Sequence, residues 1–159
     1  MRRVIDTNVP IVANGRTTNA TSTCQLACLD ALRNILENGR IVIDDAGEML
    51  AEYERHLSPG GQPGVGDRFF REILMNFTGK VERVHLERRA DGSYVDFPAD
   101  TRLNRFHLDD RKFAAASRKT GIPVMNAIDT DWLNHRVALA ENGVEVEFLC
   151  GCNREEWFI

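Results

Sequence analysis

The chain has no apolar run approaching the roughly 20 residues that a membrane-spanning helix needs. It has no Walker loop and no Gly-x-Ser-x-Gly elbow, so nucleotide-triphosphate and serine-hydrolase chemistry of those types have no sequence support. His56, His85, His107 and His135 show no paired metal-ligand spacing. Neither internal repeats nor low-complexity tracts occur. Arg2 and Arg3 are followed at once by the acidic Asp6, a pattern unlike an export signal. These features place the chain in the cytoplasm, with no membrane partner. Four cysteines, Cys24/Cys28 and Cys150/Cys152, are then expected as reduced thiols. Neither of their spacings is that of a usual zinc knuckle.

An excess of positive charge is also missing. The net charge is −4, which argues against coating nucleic acid by bulk attraction. The distribution is uneven, however. Arg102, Arg105, Arg111, Lys112, Arg118 and Lys119 cluster against Asp109 and Asp110, whereas Glu141, Glu145, Glu147, Glu155 and Glu156 make the end acidic. A basic flank beside an acidic centre suits a protein that holds phosphates on one side and a cation in the middle. A solvated helix face gives the same pattern.

With 159 residues and 43% apolar content, one domain spanning 1–159 is expected. Strand-like and helical segments alternate. Val4-Ile5, residues 41–43, 81–86, 123–128 and 144–149 read as strands. Residues 21–38 read as an amphipathic helix with Leu26, Leu29, Leu32, Ile35 and Leu36 on one face. Further helices are expected over 45–57, 67–77, 110–119 and 132–141. Residues 58–66, rich in Gly and Pro, form a loop, either a lip over the site or a connection, and 90–93 form a turn. This order predicts an α/β protein with a parallel central sheet covered by helices on both faces. Ligands of such sheets bind beyond the carboxyl ends of the strands.

Asp6 and Asp129 both fall at such ends. Asp6 also fits a helix cap. Asp45 and Glu48 have the spacing of a capping box, and Asp44 is a further candidate cap. Met49, Tyr53 and Leu57 form an apolar stripe bordered by Glu52 and Glu54, between which helix geometry does not choose. Asp109 fits a cap. Asp110 shares a face with Phe113, Ala114 and Ser117, and an acid on a packed face needs a partner. Asp129 and Asp131 flank Thr130. Carboxylates gathered at one point repel by roughly 4 kcal/mol per pair at about 4 Å in an effective dielectric of about 20. Such a gathering calls for a cation or for protonation. Hard oxygen ligands suit Mg²⁺ or Mn²⁺ rather than zinc.

Four segments, Val4-Ile5-Asp6-Thr7-Asn8, Leu50-Ala51-Glu52-Tyr53 with Leu57, Asp110-Arg111-Lys112-Phe113-Ala114-Ala115-Ala116 and Ile128-Asp129-Thr130-Asp131-Trp132, together resemble the PIN-domain nucleases, in their longer bacterial branch. The resemblance spans nearly the whole chain. It implies a three-layer α/β/α sandwich and metal-dependent endonucleolytic cleavage, of RNA ahead of DNA. By position it implies an acidic quartet, Asp6, Glu52, Asp110 and Asp129, holding Mg²⁺ or Mn²⁺, with Asp131 as auxiliary. The match favours Glu52 over Glu54. Thr7 and Asn8 are expected to orient a carboxylate or a metal water, and Arg111 and Lys112 to contact nucleic acid. Two departures stand out: Ala127 lies where family members often carry Thr, and residues 58–108 are long for the short toxin members.

A toxin paired with an antitoxin, an antiviral effector and an RNA-processing enzyme all fit this reading. A rival reading is a catalytically silent binding module on the same fold. A phospho-receiver domain, suggested by Ile43-Asp44-Asp45, ranks lower, because the acidic pair follows the second strand and the late strand ends in an acid. The apolar end, Trp157-Phe158-Ile159, docks either on a companion protein or second copy, or on its own domain.

Overall fold

The computed structural model describes residues 1–15 and 19–159. Five parallel strands form one sheet in the order β3-β2-β1-β4-β5, where β1 is Arg2–Ile5, β2 Arg40–Asp44, β3 Val81–Val84, β4 Val124–Asn126 and β5 Val146–Phe148. β1, β2 and β4 carry the β-branched or fully buried residues Val4, Ile5, Ile41, Val42, Ile43 and Val124, as a sheet covered on both faces requires. Register is set by pairs such as Arg3 with Ile41 and Val4 with Val124. The molecule is thus the expected three-layer α/β/α sandwich. Helices α1 (Asn8–Asn14), α2 (Ser22–Asn38) and α4 (Val65–Met75) pack on one another. Helix α6 (Arg111–Thr120) lies across β1, β2 and β4, with α3 (Glu48–His56) against it. Shorter helices are α5 (Phe77–Lys80), α7 (Thr130–Asn134) and α8 (Arg136–Glu141).

Several local expectations need correction. Helix α1 has no counterpart in the sequence reading. Its short span buries Val9, Pro10, Val12 and Ala13, so it shows little amphipathic contrast. The buried stripe of α2 runs through Cys24, Cys28, Leu32 and Ile35, while Leu26 is 58% exposed. The Asp45/Glu48 box does not form. Asp44 caps α3 instead, accepting from the backbone N–H groups of Glu48 and Met49, each at 2.9 Å. Asp45 faces His85. The single helix expected over 132–141 breaks at His135 into α7 and α8.

The 58–66 loop is a connection rather than a lip. Asp67 gathers it by accepting from the N–H groups of Ser58 and Gly64 and from Asn14 Nδ2. Gly66 lies so close to α1 that a Cβ there would stand 2.0 Å from the Pro10 carbonyl oxygen.

The cysteines are not four reduced thiols in two local pairs. Cys24 and Cys150 form a disulfide across 126 positions, leaving Cys28 buried and Cys152 exposed as free thiols. The C-terminal segment packs on its own domain. Trp157 is fully buried, its carbonyl accepts from Thr21 N–H, and Phe158 bridges Ala20. Among the described residues no helix is long and apolar enough to cross a membrane.

Candidate metal centre

The sheet order reverses between β1 and β4, so the crevice at their carboxyl ends is the topological switch point where ligands of open α/β sheets bind. Asp6 follows β1, and Asp129 lies just beyond β4 as the cap of α7, its Oδ1 accepting from Asp131 N–H at 2.9 Å. Asp110 closes the short turn that leads into α6. One carboxylate oxygen from each of Asp6, Asp110 and Asp129 lies within 4.8 Å of the other two. Asp110 and Asp129 line a cavity of about 480 Å³ together with Glu52, His56, Arg105, His107, Asp109 and Asp131, while Asp6 is buried and not part of that lining. A larger cavity, about 700 Å³, lies between α8 and β5 and contains none of these acids.

Asp6 is held on both oxygens. Its Oδ1 accepts from Asn8 N–H at 2.9 Å and Asn8 Nδ2 at 2.6 Å, and its Oδ2 accepts from Trp132 Nε1 at 2.7 Å. Asn8 in turn is fastened to the β4 end: its Oδ1 accepts from Ala127 and Ile128 N–H, and its Nδ2 donates to Asn126 Oδ1 at 3.0 Å. Asn126, fully buried, also accepts from Asp129 N–H and donates to the Asp129 carbonyl. The two asparagines therefore lock the ends of β1 and β4 together. Trp132 is fixed by an edge-on contact with Phe106, ring centroids 4.9 Å apart.

Burial governs the protonation of the cluster. It pushes the Asp6 carboxyl up to about 7, the nearby Asp129 charge adding to the effect and the Asn8 and Trp132 hydrogen bonds opposing it. Burial likewise raises Asp110 to about 10, reinforced by Asp6 and Asp129. Among the described residues, none of these three acids forms an ion pair with a basic side chain.

Glu52, expected as the second member of the quartet, is held differently. Its Oε1 receives Lys112 Nζ at 2.9 Å and its Oε2 accepts from Thr7 Oγ1. The structure thus groups three aspartates and gives Glu52 a protein counterion. Glu54, on the other border of the stripe, is exposed. Asp131 lines the cavity but is committed elsewhere: Oδ2 accepts from His107 N–H at 2.7 Å and Oδ1 lies 3.1 Å from His135 Nδ1.

The basic flank also needs correction. Lys112 is only 7% exposed and points inward to Glu52 and the Asp109 carbonyl. Arg111 clasps the preceding turn, donating to the carbonyls of Leu103, Asn104 and Phe106. Arg102 pairs with Asp100 and Glu141. From that flank, Arg105 alone reaches the acid cavity wall.

Asn126 and Trp132 were missed from the sequence. The residue following an acid-capped turn gave the one usable signal for Trp132: a Trp three positions after Asp129 has an N–H to place. No family model matches the chain, and no solved structure gives a significant match.

Proposed function

We propose that this protein is a Mg²⁺- or Mn²⁺-dependent nuclease, cutting RNA in preference to DNA. The observation that carries this reading is the convergence of Asp6, Asp110 and Asp129 at the sheet switch point, with burial raising two of them and Lys112 already spent on Glu52. The donor set fits the ion. Three carboxylate oxygens and a cavity open to water suit a hard cation that keeps part of its water shell. When bound there, such an ion supplies charge neutralisation, Lewis acidity toward a phosphate oxygen and activation of a water for in-line attack on phosphorus.

The chain's own residues supply the order. Asn8 and Trp132 present Asp6 in one orientation, and Asn126 ties Asp129 to the same frame. Thr7 and Lys112 hold Glu52 at the cavity wall, where it adds negative potential without joining the three. Arg105 and His56 line the same cavity, where they can meet a phosphate.

The proposed setting is the cytoplasm. There the glutathione pool would keep Cys24 and Cys150 as thiols, so the disulfide belongs to an oxidised form.

The test is cleavage of a mixed pool of RNA and single-stranded DNA with Mg²⁺ or Mn²⁺, with and without EDTA, alongside Asp110→Asn. Metal-dependent cutting that Asp110→Asn abolishes supports the reading. Cutting in EDTA, or an Asp110→Asn protein of full activity, refutes it.

A further inference from the structure

A second cavity, about 520 Å³, opens beside the acidic one, and Asp109 lines both. Helix α3 runs along the pair. It gives Glu48 to this cavity and, roughly 6 Å further along its axis, Glu52 to the acidic one. The outer wall is the excursion between β3 and α6, where Arg88 and Tyr94 pair as an antiparallel bridge around a turn at Gly92.

Two guanidinium groups in this wall lie on aromatic rings. The Cζ of Arg88 is 4.6 Å from the Tyr94 ring centre, and that of Arg111 is 4.6 Å from the Phe97 ring centre. Tyr94 and Phe97 are themselves buried, so each guanidinium is backed by a fixed ring. Arg89 joins them, donating to the Tyr94 carbonyl at 3.0 Å.

These cations keep their charge. Among the described residues, no carboxylate lies within 4 Å of Arg89 or Arg111, whose hydrogen bonds go to carbonyl and hydroxyl oxygens. Arg88 donates through Nη2 to the Tyr94 hydroxyl and has a loose contact with Glu48 at 3.9 Å, the Arg88 and Glu48 side chains both half exposed. Of the acids facing the cavity, Asp91 is occupied by Ser93 N–H and Oγ. Asp109 and Glu48 also line it, Glu48 from α3.

We propose that this cavity binds a nucleotide adjacent to the phosphodiester addressed by the three aspartates, making the substrate a single-stranded polynucleotide. This inference rests on the nuclease reading for what happens at the neighbouring site, but not for binding itself. Arg88, backed by a ring, offers its free face to an unstacked base, and Arg88 and Arg89 offer N–H groups to a phosphate oxygen, while Arg111, whose Nε and Nη2 are spent on the preceding turn, contributes only its face. Bases inside a duplex do not present such a face. The recess therefore selects strands whose bases are free to turn outward.

The test uses the Asp110→Asn protein, so that binding is measured without cutting. Fluorescence anisotropy compares a labelled single-stranded RNA, the DNA of the same sequence and an RNA duplex. Arg88→Gln and Arg89→Gln are each added to that background, with melting curves to verify folding. Arg89→Gln serves as the second variant should Arg88→Gln loosen Tyr94.

The expected result is single-strand binding that each change weakens by about 5- to 30-fold, with the salt slope falling by about 0.7 per lost phosphate contact. Binding of both variants within twofold of the parent overturns the proposal. So does a preference for duplex, or no binding of any strand. The two readings fail separately. Metal-dependent cutting by the unaltered chain with binding indifferent to both arginines removes the subsite and leaves the nuclease. Arginine-dependent binding without cutting by the unaltered chain does the reverse.

Discussion

The ammonium of Lys112 lies 2.9 Å from Oε1 of Glu52, and both side chains are almost wholly enclosed. This contact separates two kinds of acid at one crevice. Glu52 is balanced from within, while among the described residues Asp6, Asp110 and Asp129 have no ion pair. Removing one partner of a buried pair strands the other charge, which costs about 3–5 kcal/mol. Lys112→Met is therefore expected to lower unfolding free energy by that amount in urea titrations. Adding Glu52→Gln to Lys112→Met is expected to recover most of the loss. A Lys112→Met midpoint equal to the parent's would show that the pair is solvated.

Metal-free protein is expected to lose stability as pH rises. Asp6 is raised to about 7 and Asp110 to about 10, against 3.8 for the free carboxyl. The folded state then binds more protons than the unfolded state at neutral pH. The stabilisation is complete below about pH 4 and declines through the folded values, by about 1.4 kcal/mol per pH unit for each proton. Melting in EDTA between about pH 5 and about pH 9 measures this slope. Asp6→Asn is expected to flatten its lower half, and added Mg²⁺ to reverse it. A curve rising with pH in EDTA would contradict the burial-driven shifts.

Trp132→Phe keeps the ring that packs on Phe106 and removes the N–H that reaches Asp6 at 2.7 Å. Losing such an outer partner typically weakens a metal site by about 10- to 100-fold. Calorimetric Mn²⁺ titration is expected to show that loss with little change in melting temperature. Unaltered Mn²⁺ affinity would mean that Asn8 alone orients Asp6.

Reduction of the Cys24–Cys150 disulfide is expected to destabilise the chain by about 2–5 kcal/mol, since it closes a long loop in the unfolded state. Guanidinium midpoints with and without a dithiol reductant measure this. Cys28→Ser is expected to respond to the reductant as the parent does, and Cys24→Ser not to respond. A parent midpoint insensitive to reductant would show that the cross-link is not formed.

The sheet was legible because burial on both faces demands β-branched runs, and Val4-Ile5, Ile41-Val42-Ile43 and Val124 carry that signature openly. The switch-point acids were legible for a related reason: Asp6 and Asp129 each follow such a run. Helix α1 was hidden because a short helix buried on most sides has no polar face to alternate with. Lys112 was misread because a long stem can carry its charge inward, here to Glu52 and the Asp109 carbonyl, which residue type alone does not disclose. The exchange of Asp45 for Asp44 as the cap of α3 turned on Gly47, whose φ of 83° bends the chain back over the strand end. Pairing of Cys24 with Cys150 depended on the C-terminal segment packing beside the start of α2, and spacing within each local pair carried no trace of it.

The wall bearing Arg88, Tyr94 and Phe97 grows from the connection between β3 and α6, whose last residue is Asp110, whereas Asp6 and Asp129 sit on turns pinned by Asn8 and Asn126. Under the proposed function, the residues that would admit a strand and two of the three acids therefore belong to different stretches of chain. Redesigning residues 87–99 of the excursion would then be a route to retargeting the proposed nuclease without moving Asp6, Asp110 or Asp129, in the way that an interchangeable nozzle leaves the engine untouched.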